Sequence, residues 1–258
     1  MKVVFSLLLT CSLTCSFAQM MNSRSGMVST SEAARSNFQK GYQALQAKEY
    51  QAAKGYFLKS NQEDPKFVDA MDYLAETYRD LSMLDSTIFY YEKSLKIYPR
   101  NLITHQNLAA AYQLKSEYNA AILQYKNLLL YYPGYPEAYY GMALSYFNMG
   151  KFEEAKIHSE NAMRSYLSGG RNENAADARM LAAKCYLELD DNKMALKYFN
   201  VNKKYFKEKP IFHYYKGLAY LKMDKGREAK SAFAKATELG FDIPSHIQSR
   251  LDFLLAKS

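Results

Sequence analysis

Residues 102–133 read LITHQNLAAAYQLKSEYNAAILQYKNLLLYYP, and this stretch decides the fold. His105, Leu108, Ala109 and Tyr112 fall on one face of a helix at about 100° per residue, and Ala121, Tyr125 and Leu128 fall on one face of a second. Small residues at Ala109 and Ala121 let two helix axes approach closely, while Tyr112 and Tyr125 fill the space beside them. A helix pair this short cannot bury its apolar face alone, so it needs neighbours of the same kind. The sequence supplies them: Pro65, Pro99 and Pro133 are 34 residues apart, as are Tyr78, Tyr112 and Tyr146.

A second series, Tyr186 to Tyr220, Ala195 to Ala229 and Phe199 to Phe233, keeps the interval but is six residues out of phase. This places an insertion around Gly169-Gly170-Arg171-Asn172-Glu173-Asn174. Six units result, starting at Ala34, Val68, Leu102, Pro136, Ala176 and Pro210. The composition agrees with helix. Of 258 residues only 11 are Gly and 6 are Pro, too few breakers for the turns of an all-β sandwich. With 48% hydrophobic and 23% charged residues, collagen-like, low-complexity and wholly disordered chains are excluded.

The units resemble the tetratricopeptide repeat, a 34-residue helix-turn-helix. Its small residue at position 8 is met by Gly41, Ala75, Ala109, Ala143, Ala183 and Gly217. Its position-11 aromatic is met everywhere except at Ala44, its position-20 Ala everywhere except at Thr87, and its position-24 Phe or Tyr everywhere except at Ser159. The closing proline occurs in the first three units only, and the chain has no Trp for position 4. The resemblance covers roughly residues 34–243 and implies an all-α fold, a right-handed superhelix (an α-α solenoid) of six helix-turn-helix repeats. The expected organisation is repeats 1–4 over residues 34–169, an inserted loop at 170–175, repeats 5 and 6 over 176–243, and a capping helix over 244–258. That last helix draws its apolar stripe from Ile247, Leu251, Leu254 and Leu255.

The first 18 residues have the form of a secretory signal: Lys2, an apolar run from Val3 to Leu9, and small residues at Ser16 and Ala18. Residues 19–33 read as a flexible leader. The alternative is a lipoprotein anchored through Cys15 or Cys11, against which Thr14 and Thr10 stand in the preceding positions. The chain is therefore expected to be exported, periplasmic or secreted. Cleavage after Ala18 leaves Cys185 as the one cysteine, within an apolar helical pattern where a buried, unreactive thiol is expected.

The resemblance implies that first helices line a concave groove, with positions 2, 5, 9 and 12 turned toward it. The expected partner-binding residues are Phe38 and Tyr42 in unit one, Asp69, Asp72 and Glu76 in unit two, and Gln106 in unit three. Tyr140 and Phe147 follow in unit four, and Tyr214 in unit six. Tyr140 and Tyr214 are expected to give apolar anchorage, and Asp72 and Glu76 to select a cationic side chain. The clamp by which some members of this family hold a terminal carboxylate needs cations where this chain places Asp72 and Glu76. That use is disfavoured.

The net charge is +8, and residues 151–258 hold 20 Lys and Arg against 14 Asp and Glu. Lys203, Lys204, Lys207 and Lys209 read as a solvated face, with peripheral attraction to an anionic envelope membrane as the alternative. No nucleic acid, cofactor or metal is expected. His105 and His213 fall at position 4, a packing position, and no H-E-x-x-H, G-x-S-x-G, C-x-x-C or phosphate-cradling loop is present. The expected function is a non-catalytic scaffold of the bacterial cell envelope binding a protein or peptide in its groove. The alternative is a glycan or small-ligand module using the Tyr-rich groove.

Overall fold

In a computed structural model the described residues are 29–257. They form thirteen helices and no strand. The signal and lipid-anchor readings, and most of the leader, lie outside the described residues. The chain divides into two compact units, one ending at Pro133 and the other starting at Gly134.

The first unit holds three hairpins: α1 (Glu32–Gln46) with α2 (Tyr50–Glu63), α3 (Val68–Asp80) with α4 (Leu84–Ile97), and α5 (Leu102–Leu114) with α6 (Tyr118–Tyr131). The second holds α7 (Pro136–Asn148) with α8 (Phe152–Ser168), α9 (Asn172–Glu188) with α10 (Asn192–Phe206), α11 (Pro210–Lys222) with α12 (Gly226–Glu238), and the last helix α13 (Ser245–Ala256). Each hairpin coincides with one repeat. The fold is all-α, a helical solenoid of tetratricopeptide type.

Within every hairpin the turn is made the same way. Lys48, Ser82, Ser116, Gly150, Asp190 and Asp224 all stand at position 15 with φ between 56° and 71°. The next N–H returns to a carbonyl five residues back, as in Glu117 N to Tyr112 O at 2.8 Å and Asp191 N to Tyr186 O at 2.9 Å. This is the hydrogen bond that closes a helix through a left-handed residue. Five of the six left-handed residues carry a side chain, which costs about 1–2 kcal/mol each relative to glycine.

The position-8 rule has a steric cause. A Cβ on Gly41 would sit 2.8 Å from the Phe57 ring, and one on Gly217 only 2.5 Å from Phe233. In these two repeats the first helix lies directly on the position-24 ring. Position 27 ties the hairpin together from the other side: Ser60 Oγ donates to Ala34 O at 2.8 Å, and Asn202 Nδ2 donates to Ala176 O at 2.8 Å.

Two expectations are corrected. Residues 172–175 are not a loop: they begin α9, and the connection is only Gly169-Gly170-Arg171. The insertion lengthens α8 to 17 residues, against 14 in α6, and α9 to 17, against 13 in α7. Its apolar residues make this favourable, since Tyr166, Ala162, Ala175 and Ala178 bury one another and Arg171 lies 4.8 Å from the Tyr166 ring centroid. The leader also ends earlier than expected. Ser31 caps α1 by accepting from Ala34 N at 3.2 Å, and the Arg35 guanidinium donates to Ser29 O at 2.7 Å.

Candidate functional site

The first helices of repeats one to four and six carry the expected binding residues, and the structure sorts them. In the first unit Phe38 is not on a surface at all: it is 3% exposed, with its ring centroid 5.1 Å from Phe67 and 5.4 Å from Tyr73. The aromatic residue just before α3 closes over position 5 of α1. Asp69 and Asp72 are likewise buried. Asp72 Oδ2 accepts from Asn101 Nδ2 at 3.0 Å and from Thr104 Oγ1 at 2.7 Å, while Asn101 Oδ1 caps α5 by accepting from Thr104 N. This carboxylate holds the start of the next repeat and has no face to offer a partner's cation. The expectation that Phe38, Asp69 and Asp72 meet a partner is therefore wrong.

Tyr42, Glu76 and Gln106 remain half-buried on the first-helix face of this unit. Tyr42 meets Tyr73 edge-on at 5.5 Å, and Glu76 accepts from Asn107 Nδ2 at 3.4 Å.

In the second unit Tyr140, Phe147 and Tyr214 are all half-buried. Tyr140 packs beside Tyr166 and the added turns of α8 and α9, and burial, then the Asp177 carboxylate, raises its phenol above the ordinary value. Tyr214 lies 4.6 Å from Phe241 and 6.0 Å from Phe233, under the last helix, and its phenol is raised by burial and then by Tyr215. Phe147 belongs to a different arrangement. The Lys184 ammonium stands 5.0 Å from the Phe147 centroid and 4.9 Å from that of Tyr215, so one cation of α9 lies between rings of α7 and α11. A cation over an aromatic face contributes about 0.5–1 kcal/mol where exposed and more where desolvated.

Residues 135–201 match the family model described as tetratricopeptide repeat. Solved structures agree in fold: MamA, with 20% identity over 69% of this chain and 94% of its own, has a TM-score of 0.61. For pilF of Pseudomonas aeruginosa the values are 18%, 88%, 98% and 0.65, and for YrrB 17%, 78%, 98% and 0.61. The family match spans one repeat and the hairpin beside it, and the fold of the chain is that of tetratricopeptide repeat structures. No curated protein matches it by sequence.

Positions 2, 5, 9 and 12 leave out a partner that three position-9 side chains find at position 6 of the following repeat. Tyr42–Tyr73, Glu76–Asn107 and Lys184–Tyr215 are three instances, each 31 residues apart. That spacing was present in the sequence and would have added Tyr215 and Lys184 to the site. The histidines at position 4 have a shared task. His105 Nε2 lies 2.9 Å from Pro99 O and His213 Nε2 lies 2.8 Å from Lys207 O. A carbonyl only accepts, so Nε2 carries the hydrogen in both and pins the connection that precedes each helix.

Cys185 is fully buried and its thiol is pushed up to about 12, chiefly by burial. A thiol so rarely ionised is a poor nucleophile. Among the described residues no three His, Cys, Asp or Glu converge as metal ligands, and no helix is long and apolar enough to cross a membrane.

Proposed function

We propose that this chain is a non-catalytic interaction scaffold of the bacterial cell envelope, and that it binds a protein segment along the first-helix face of its second unit. Tetratricopeptide repeat proteins are in general scaffolds that take protein or peptide partners; YrrB, of the same fold, has what is called an unusual peptide-binding site. One observation carries the assignment to a face: Lys184 held between Phe147 and Tyr215, across three successive first helices. The two rings supply apolar area at little entropic cost, and the half-buried ammonium offers a charge to a partner's carboxylate. Export to the envelope rests on residues 1–18 of the sequence.

Pull-down from an envelope extract, followed by mass spectrometry, should recover a discrete protein with the wild-type chain. Phe147→Ala combined with Tyr215→Ala should lose it, and equal recovery by the variant would remove the face from consideration. Intact-mass measurement of the mature protein should place its first residue at Gln19; an acylated Cys11 or Cys15 would replace a free exported protein by an anchored one.

A further inference from the structure

Two clefts on the side of the second helices occupy equivalent places in the two units. One, of about 450 Å³, lies between α4 and α6 with α5 as its floor; the other, of about 560 Å³, lies between α10 and α12 with α11 as its floor. Five repeat positions line both. At position 4 each has a histidine, His105 and His213. At the others Leu95 is replaced by Lys203, Leu108 by Lys216, Gln124 by Ala232 and Asn127 by Lys235. Arg227 joins the second cleft, with hydroxyls from Tyr220 and Ser231, and the one carboxylate there is Glu228.

Lys216 is the telling residue. Position 7 packs against the preceding hairpin, and it is Leu74, Leu108, Met142 and Ala182 in repeats two to five, all buried. Lys40 holds the place in repeat one, where it is exposed. In repeat six the slot is half-buried and carries a lysine, 5.9 Å from the Tyr220 ring centroid, whose ammonium is held below the ordinary lysine value by burial and then by Lys203. Among the described residues, no carboxylate lies within ion-pair distance of Lys203, Lys216 or Arg227, and Lys235 pairs only with Glu238, at 2.6 Å. A half-buried cation facing other cations is disfavoured unless an anion joins it.

We infer that the cleft between α10, α11 and α12 binds a phosphate group bearing two or more negative charges, a phosphomonoester or a diphosphate. With Lys235 matched by Glu238, the remaining Lys203, Lys216 and Arg227 face only Glu228, an excess of two positive charges that calls for more than the single charge of a carboxylate ligand. Arg227 presents a planar fork suited to phosphate oxygens, the lysines supply point charges, and the two hydroxyls supply neutral donors. The repeat fold does not impose this lining, because the matching positions of the first unit's cleft carry Leu, Gln and Asn, and the one lysine there, Lys96, is accompanied by Glu92.

The test is calorimetric titration of the full mature chain with inorganic pyrophosphate at low ionic strength. The wild type should bind at one site, and Lys216→Met and Arg227→Gln should each weaken binding by about tenfold or more. Lys197→Gln, on α10 but outside the cleft, should bind as wild type. Arg227 is exposed, so its variant keeps the fold, and an unaltered melt is the check for Lys216→Met. Co-sedimentation with phosphatidylcholine vesicles, with and without phosphatidic acid, separates the sources. Recruitment only by phosphatidic acid, lost in both variants, makes the phosphate a lipid headgroup; pyrophosphate binding without recruitment makes it a soluble ligand. Equal pyrophosphate affinity in wild type and both variants, or binding of neither probe, would overturn the inference.

Discussion

The clefts floored by α5 and by α11 share a histidine, a backbone frame and a set of repeat positions, and they differ in nearly everything a ligand would touch. The first is lined by Leu95, Leu108, Leu130 and Tyr131, the second by Lys203, Lys216, Arg227 and Lys235. The difference teaches that two layers of information are superimposed in each repeat. Positions 8, 20 and 24 set the distance between helices and are nearly invariant along the chain. Positions 26 and 28 border the gap between hairpins and vary in chemistry, and position 7 at its floor is packed in repeats two to five and a half-buried lysine in repeat six.

Exchanging the layers should break the comparison most severely. Leu108→Lys puts an ammonium into a fully packed slot with no anion to meet it, and should cost on the order of 3–5 kcal/mol in denaturant unfolding. The reverse exchange, Lys216→Leu, should leave stability unchanged or raise it. A Leu108→Lys protein as stable as wild type would mean that the first cleft is as wet as the second. Next comes the helix spacing itself. Ala109 is accommodated in α5, but Gly217→Ala in α11 drives a methyl into the Phe233 ring and should cost about 3 kcal/mol. A melt that does not move would show that α11 can slide on α12.

A third measurement addresses how the two floor helices start. Asn101 caps α5 and is held by the buried Asp72, whereas α11 starts with Pro210 and has no side-chain cap. Asp72→Ala should therefore cost about 2 kcal/mol by stranding Asn101 and Thr104, and Glu76→Ala, one helical turn on, should be nearly silent. Equal effects would return Asp72 to the surface. The smallest effect lies in the turns. Ser116→Gly relieves a left-handed serine and should stabilise by about 1 kcal/mol, and Asp224→Gly by less, because aspartate tolerates that conformation better.

Much of this was legible in the sequence, and the reasons separate cleanly. Helix pairing, phase and the place of each hairpin follow from apolar periodicity, which a single chain displays directly. Phe38 and Asp72 were misassigned because their surroundings come from the next repeat: Phe67 covers one, and Asn101 and Thr104 engage the other. A groove position counted within one unit knows nothing of its neighbour. The basic cluster does lie on a solvated face, since Lys203, Lys204, Lys207 and Lys209 are all exposed. What adjacency in sequence does not display is the cleft that Lys203 borders, because Lys216, Arg227 and Lys235 come to it from two other helices.

The lengthened pair α8 and α9, which joins one repeat to the next, has a consequence for how such a chain can change length. Its two arms exceed their counterparts in α6 and α7 by three and four residues, each close to one turn of 3.6, and the connection is one residue shorter than the four-residue links at 98–101 and 132–135. Growth is thereby quantised. A gain or loss distributed as whole turns on both arms returns every later side chain to its proper bearing, whereas removal of a single residue from either arm would rotate all that lies beyond it on that arm by about 100°. The pair works as a ruler with one admissible graduation, and six residues is the net length it reads.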